Sequence, residues 1–493
     1  MEEQTFQMTK TYIDDLPWGD DSFACAEEKK SRSERRALPP GCKKSVLLAD
    51  IVRIGWPALL ELLLTSLASM VDMIMVGTMP NGDDAISAVS LATNPKFMFI
   101  ALIIALNVGV TAMAARHRGA GDHAGANEVL KNGLLLALAV SAAGTVGGYF
   151  SAAPLIRFMA NDGLSEEIIA MSTAYLRIQM LGFVTVALPA TITAALRGTG
   201  NSKPPMVYNI VANLANVCGN YLIINGHCGF PALGVAGASI ATVAGQMVAT
   251  VMAFACVGSG RYYFYIRLRN LFRSFRVDPA LMRNILRVGL PSLGEQAILR
   301  LGIVIFSRQV ASLGQPFYAT HQIIMNIQSL SFLLGMGVAA SSTTLVGQSL
   351  GKRRADMAEH YSRLCARLGF VVGVVLGLLF GFFGSNLVSL YSNTPAVIAA
   401  SVPVMVILGL SQPIQACQFI LAGSLRGAGD TRSTALITLA TALMLRPALG
   451  HLFIAVLHLG LMGAWYATII DQSVCFALVL LIYERGRWKS IRL

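Results

Sequence analysis

The sequence predicts an all-α polytopic membrane protein, with twelve transmembrane helices arranged as two parallel six-helix lobes. Three observations predict it. The chain of 493 residues is 55% hydrophobic and only 13% charged, about half the charged share of an average soluble domain. Its apolar residues gather into twelve segments, each long enough to cross a bilayer, for which about 20 residues suffice. The basic residues between those segments fall in alternate loops, the distribution that sets membrane topology.

Residues 1–46 are polar, acidic first (Asp14, Asp15, Asp20, Asp21, Glu27, Glu28) and then basic (Lys29, Lys30, Arg32, Arg35, Arg36, Lys43, Lys44). No apolar run precedes the first span, so this stretch reads as a cytosolic tail rather than a cleaved signal. An N-lobe over 47–258 follows, then a basic inter-lobe loop over 259–283, a C-lobe over 284–484 and a basic tail over 485–493. The predicted spans are 50–78, 86–115, 127–150, 172–196, 203–225 and 236–258 in the first lobe. In the second they are 286–312, 319–347, 361–384, 398–425, 433–457 and 461–483.

The loops test that count. Arg116 and Arg118, Arg197 and Lys203, the arginines from Arg261 to Arg276, Lys352 to Arg354, Arg426 and Arg432, and Arg485 to Arg492 share one side with the tail. Asp83, Asp84, Asp162, Glu166 and Glu167 occupy the other, with Arg157 the exception. Both termini are therefore expected in the cytosol, with the chain multi-pass in the plasma (inner) membrane. Topology thereby accounts for the net charge of +12, and a nucleic-acid partner loses its support.

The two lobes resemble each other. RIGWPALLE (53–61) answers RVGLPSLGE (287–295), and RGAGDHAGA (118–126) answers QSLGKRRADMA (348–358) more weakly. ALRGTGNS (195–202) answers SLRGAGDT (424–431), and LGVAGASIATVAGQ (233–246) answers LGLMGAWYATIIDQ (459–472). The register drifts only slightly from the first match, Arg53 with Arg287, to the last, Leu233 with Leu459. An even number of spans per half makes these parallel repeats about an axis along the membrane normal. Transporters so built place their sites at or beside the interface of the halves and work by rocking one against the other.

Several chemistries are excluded. The eight cysteines show no CxxC pair, so neither a disulfide framework nor a zinc site is indicated. The RGTG and RGAG segments lack GxxxxGK[ST] and read as tight inner turns, not an ATP site. No HExxH or GxSxG lies on a span, so an intramembrane enzyme is not expected.

Polar residues inside the first span carry the argument further. Glu61 and Asp72 stand about three helical turns apart, and so share one face with Thr65 and Ser69 between them. A carboxylate at mid-bilayer costs at least ~3 kcal/mol, which makes function the default reading. Asn209, Asn213, Asn216 and Asn220 line one face of the fifth span and suit a hydrated ion path, although a single asparagine there would be helix–helix glue. In low dielectric Asp72 takes up a proton more readily, or holds Na⁺ if neutral oxygens help.

WPALLELLLTSLASMVDMIMVG, LRGTGNSKPP, LGVAGASIAT, THQIIMNIQSLSF and AGSLRGAGDT, in this order over 46–485, resemble the multidrug and toxic compound extrusion (MATE) family. The resemblance implies two six-helix lobes around a central cavity and efflux of organic, often cationic, compounds driven by Na⁺ or H⁺, by a monomer among membrane lipids with no other cofactor. It makes Asp72 the N-lobe acid, the metal ligand if coupling is to sodium, with Asn216, Asn220 and Thr242 as partners. Some relatives carry an aspartate where Asn220 stands, which leaves one fewer titratable group in this lobe. Some carry C-lobe acids where this chain has Leu299 and Gln415.

The remaining candidates divide between cavity and scaffold. Glu295, the repeat-mate of Glu61, either serves as a C-lobe acid one turn from Leu299 or bonds Arg300 or Arg446. Asp471 either receives a cationic substrate or neutralises Arg446 or Arg308. His321 and Gln322 match a family HQ pair, His321 either as core residue or as proton carrier. Pro57 and Pro291 each remove a backbone hydrogen bond and act as fixed kinks or hinges. Methionines such as Met70, Met73, Met75 and Met325 give adaptable walls. The expected function is drug/cation antiport. Its rivals are a lipid-linked precursor flippase or an exporter of one metabolite on the same superfamily fold; such flippases generally have fourteen spans and a basic cavity.

Overall fold

The computed structural model describes residues 43–491 except 80, 161–164, 266–276 and 392–393. The N-terminal tail up to residue 42 and part of the basic inter-lobe loop therefore lie outside the described residues. Among those described, helices supply all the regular structure.

The first lobe comprises α1 (Lys44–Gly77), α2 (Gly82–Gly119), α3 (His123–Met159), α4 (Glu166–Leu181 with Phe183–Gly198), α5 (Lys203–Ile223) and α6 (Gly234–Gly258). The second comprises α7 (Pro279–Ala311), α8 (Gln315–Gly351), α9 (Ala355–Ser389), α10 (Pro395–Ala428), α11 (Thr431–Val456) and α12 (Gly460–Glu484). Ten of these are apolar and long enough to span. The other two are instructive. The expected single span 172–196 is the two-piece α4, bent by 49°. Gly182 sits at that bend against Val243 of α6, with no room for a Cβ. The α5 helix falls short on apolarity because four asparagines occupy it. Most helices also outrun the predicted segments by about a turn at their ends, because polar end residues continue the backbone hydrogen-bond ladder into the interface.

Pro57 and Pro291 do not interrupt their helices; α1 and α7 stay helical throughout. The irregular element is α11. It changes to π-helix over Leu439–Leu445 and again over Leu452–Val456, on either side of Arg446–His451. Such bulges cluster at functional positions.

The lobes meet at the end of the molecule that carries both termini. Every inter-lobe hydrogen bond between spanning helices lies there among the described residues: Ser341 to the Ile51 carbonyl (2.9 Å), Thr344 to the Arg197 carbonyl (3.0 Å), Gln348 to the Gly198 carbonyl (2.9 Å), Arg116 to the Ala428 carbonyl (2.9 Å) and Tyr361 to Asp50 (2.7 Å). Glycines permit the approach. A Cβ on Gly119 would strike the Gln348 carbonyl, and one on Gly351 would strike the Arg116 carbonyl. Gly119 and Gly351 are repeat-mates, as are Arg116 and Gln348 in the same register, so the closure is reciprocal. RGTG and RGAG form tight turns as expected, with Gly200 at φ +85° and Gly429 at φ +90°, a region only glycine enters cheaply. At the opposite end Leu67, Met70 and Ile74 of α1 and Leu301 and Val304 of α7 are exposed.

Candidate functional site

The site is built on α1 and α5, which run parallel in fixed register. Asn209 donates to Glu61 (2.7 Å), Asn213 to Thr65 (3.3 Å) and Asn220 to Asp72 (2.5 Å), each pair 148 residues apart. Constant separation requires the same rise per residue in both helices, so the asparagine row predicted for α5 lies along the acidic face of α1. Asn216 completes the group. With its amide nitrogen toward Asp72 it donates to the carboxylate at 2.8 and 3.1 Å, and its oxygen accepts from the Thr242 backbone N–H at 3.2 Å. The network thus brings together Asp72, Asn216, Asn220 and Thr242.

Behind this group, Val76 of α1, Ala85, Val89 and Ala92 of α2, Tyr175 of α4 and Ala238 of α6 form one apolar cluster. It fixes the wall on which the Asp72 carboxylate sits, half-buried. Asp72 accepts hydrogen bonds from neutral amides and, among the described residues, has no basic side chain within ion-pair distance. Asn220 keeps its own amide oxygen without a partner, an additional neutral acceptor beside the carboxylate. A carboxylate with neutral oxygens around it is a donor set for a small hard cation, and equally a place where a proton is held.

The other acids are engaged differently. Glu61 is buried and paired with Arg197 at 2.7 Å. Glu295 is buried and paired with Arg426 at 2.5 Å, and accepts from Thr434 at 3.0 Å. Arg197 and Arg426 are the arginines of RGTG and RGAG. Thr434 of α11 assists Glu295 as Asn209 of α5 assists Glu61, so each lobe contains the same kind of buried clamp. Glu295 is therefore corrected from a partner in Arg300 or Arg446 to Arg426, because Arg426, in the last turn of α10, reaches the glutamate of α7. Glu61 and Glu295, expected as cavity candidates, belong to this clamp. Asp471, buried at 2% exposure, bonds Arg446 twice, at 2.5 and 2.9 Å, so its partner is Arg446 and not Arg308. The second Asp471 oxygen has no partner.

Among the described residues the C-lobe has no copy of the Asp72 group. In the register that pairs Arg53 with Arg287, Asp72 falls on Phe306, which packs in an apolar cluster with Ile324 and Trp465. His321 is buried there, its ring 6.0 Å from Phe306 and 5.6 Å from Trp465. Gln322 is half-buried beside it. Gln415 is buried with an unpartnered oxygen, in a small cleft lined by Ser331, Gly373, Gln412 and Phe419. These residues are not brought to Asp72.

One residue escaped the reading of the sequence. Lys96 lies in the first half of α2, half-buried, and is coupled electrostatically to Asp72. A lysine inside an apolar span is as costly as an acid there, and that cost is the signal by which the sequence marks it.

Comparison with known proteins agrees with this architecture. The MatE family description matches residues 57–222 and 291–452, both lobes in turn. The probable multidrug resistance protein NorM of Thermotoga maritima is 28% identical over 447 residues, covering 90% of this chain and 93% of that protein. The multidrug resistance protein PmpM of Pseudomonas aeruginosa is 28% identical over 422 residues, covering 82% and 83%. A solved multidrug resistance transporter of this type in an outward-facing conformation superposes with a TM-score of 0.81 at 22% identity, covering 89% of this chain and 95% of the other. A structure in a bent conformation gives 0.82, also at 22% identity, covering 90% and 95%.

Proposed function

The chain belongs to the MatE family of multidrug efflux transporters, and we propose that it is a secondary antiporter exporting organic, mainly cationic compounds in exchange for Na⁺ or H⁺. The single observation that carries this reading is the contrast among the acids inside its spans. Glu61, Glu295 and Asp471 are each neutralised by an arginine, whereas Asp72 is held by amides. A cation that arrives and leaves needs a carboxylate that no arginine occupies permanently.

The cycle follows from the packing. With both termini in the cytosol, the joined end is the inner one, and this is the outward-facing state. The coupling ion enters from outside, occupies Asp72 with Asn216, Asn220 and Thr242, and replaces the charge of the departing drug. The inner contacts then part and the lobes rock, delivering the ion inside. One unit charge moved down 100 mV yields ~2.3 kcal/mol, enough for roughly 50-fold accumulation. Pro57, one turn before Glu61 in α1, is the hinge of this cycle.

The test is efflux of a cationic dye from vesicles, with Na⁺ and H⁺ gradients imposed separately. Either gradient alone driving efflux, abolished by the matching ionophore, is the expected result. Efflux indifferent to both gradients is the result that removes the antiport reading.

A further inference from the structure

We propose that Lys96 is a tethered counter-ion that competes with the coupling cation for Asp72 and thereby sets how readily the cation is released. The proposal rests on the antiport reading above, since it concerns the same carboxylate.

The placement is geometric. Ala85, Val89 and Ala92 of α2 bury themselves against Val76, Tyr175 and Ala238 in the cluster behind Asp72, and Phe99 packs against the same cluster. Lys96 comes one turn after Ala92 and just under one turn before Phe99, so it continues the inward stripe of α2. Helical side chains lean toward the helix N-terminus, which carries the ammonium along this stripe. Among the described residues no acidic side chain lies within ion-pair distance of Lys96, and the charge facing it is that of Asp72. The groups around Asp72 are Asn216 and Asn220 from α5, Thr242 from α6, Tyr175 from α4 and Lys96 from α2. Among the described residues Lys96 is the one basic side chain in that set.

A cation on Asp72 must share the site with this ammonium. At the low dielectric of a span, like charges repel over longer distances than in water, so the loaded state is weakened. Empty, the carboxylate has its charge offset by the ammonium on the neighbouring helix, and the lobe returns without carrying an uncompensated negative charge across the bilayer. In the register that pairs Gly119 with Gly351, the second lobe has Gln328 at the equivalent position, in keeping with the absence of an acid at Phe306.

The experiment measures dye efflux against the external concentration of the driving cation, for Na⁺ and for H⁺ separately, in wild type, Lys96→Met, Lys96→Arg and Asp72→Asn. For the cation that drives wild-type efflux, Lys96→Met is expected to half-saturate at a concentration lower by at least about ten-fold, with Lys96→Arg close to wild type. An unchanged half-saturation in Lys96→Met overturns the proposal, as does a Lys96→Arg variant that shifts as far as Lys96→Met, because then charge is not what matters. A Lys96→Met protein too unstable to assay is replaced by Lys96→Gln, judged by the same shift. Driven efflux that survives in Asp72→Asn overturns the assignment of Asp72 as the coupling site, a result separable from the first two.

Discussion

Asn220 follows Asp72 by 148 residues and donates to its carboxylate at 2.5 Å, at the same separation that joins Asn209 to Glu61 and Asn213 to Thr65. Two helices far apart in the chain are thus locked in register by a ladder of amides. At the inner rung the acid is closed off by Arg197. At the other rung, among the described residues, no basic side chain lies within ion-pair distance of the acid, which amides hold instead.

From this ladder comes the first expectation. Asp72→Asn keeps the shape of the side chain and its bond to α5 but removes the charge. Gradient-driven dye efflux should fall to background while the protein reaches the membrane in normal amounts, measured by immunoblot of the same vesicles. Asn220→Ala should retain transport with the driving cation needed at higher concentration, since one neutral oxygen and one donor are lost.

The paired clamps give a second. Removing one partner of a buried ion pair typically costs about 3–5 kcal/mol, because it strands the other charge. Arg197→Met should therefore lower the melting temperature in detergent more than the double change Glu61→Gln with Arg197→Met. Arg426→Met and Glu295→Gln should behave likewise in the other lobe. A double variant as unstable as the single one would show that the arginine acts through packing alone.

The reciprocal contact of Gly119 and Gly351 gives a third. A methyl group at either position overlaps a carbonyl of the opposite lobe, and backbone cannot yield as a flexible side chain does. Gly119→Ala and Gly351→Ala should each shift the population away from this packing. Spin labels on the two lobes at the terminus-bearing end should report a longer distance, and efflux should slow several-fold, with the Asp72 group intact.

A fourth concerns the turn before α3. Asp122 caps that helix, accepting from the Gly125 N–H at 2.8 Å, and this bond, with help from His117, holds its carboxyl below the usual carboxylate range. A depressed pKa means stabilisation that is fully present above the ordinary value near ~4 and lost as pH falls through the lower folded value. Asp122→Ala should cost about 1 kcal/mol at neutral pH. The gap in melting temperature between the two proteins should narrow only in strongly acidic buffer.

Much of the fold was legible in the sequence because the bilayer restricts the answer. Twelve apolar runs, loops of alternating charge and a repeat whose register hardly drifts between Arg53 with Arg287 and Leu233 with Leu459 leave little besides two parallel six-helix lobes. The row of asparagines in α5 and the two acids of α1 were legible for the same reason, since a polar group in hydrocarbon must be accounted for. Partnership was not legible. Arg197 and Arg426 read as inner-loop topology charges, yet each lies in the last turn of a helix, where it neutralises the glutamate of its own lobe. Lys96 read as part of an apolar run, yet α2 sets it one turn past Ala92 in the cluster behind Asp72.

What the sequence determined by itself is where each polar group sits along its helix, because helical periodicity and hydrocarbon thickness depend on local composition. What only the tertiary structure decided is which acid is cancelled and which is left open. That depends on the rotation and register of helices far apart in the chain, as in Glu295 with Arg426 and Asp72 with Asn220, and Coulomb energy between buried groups changes steeply over the few ångströms that such packing sets.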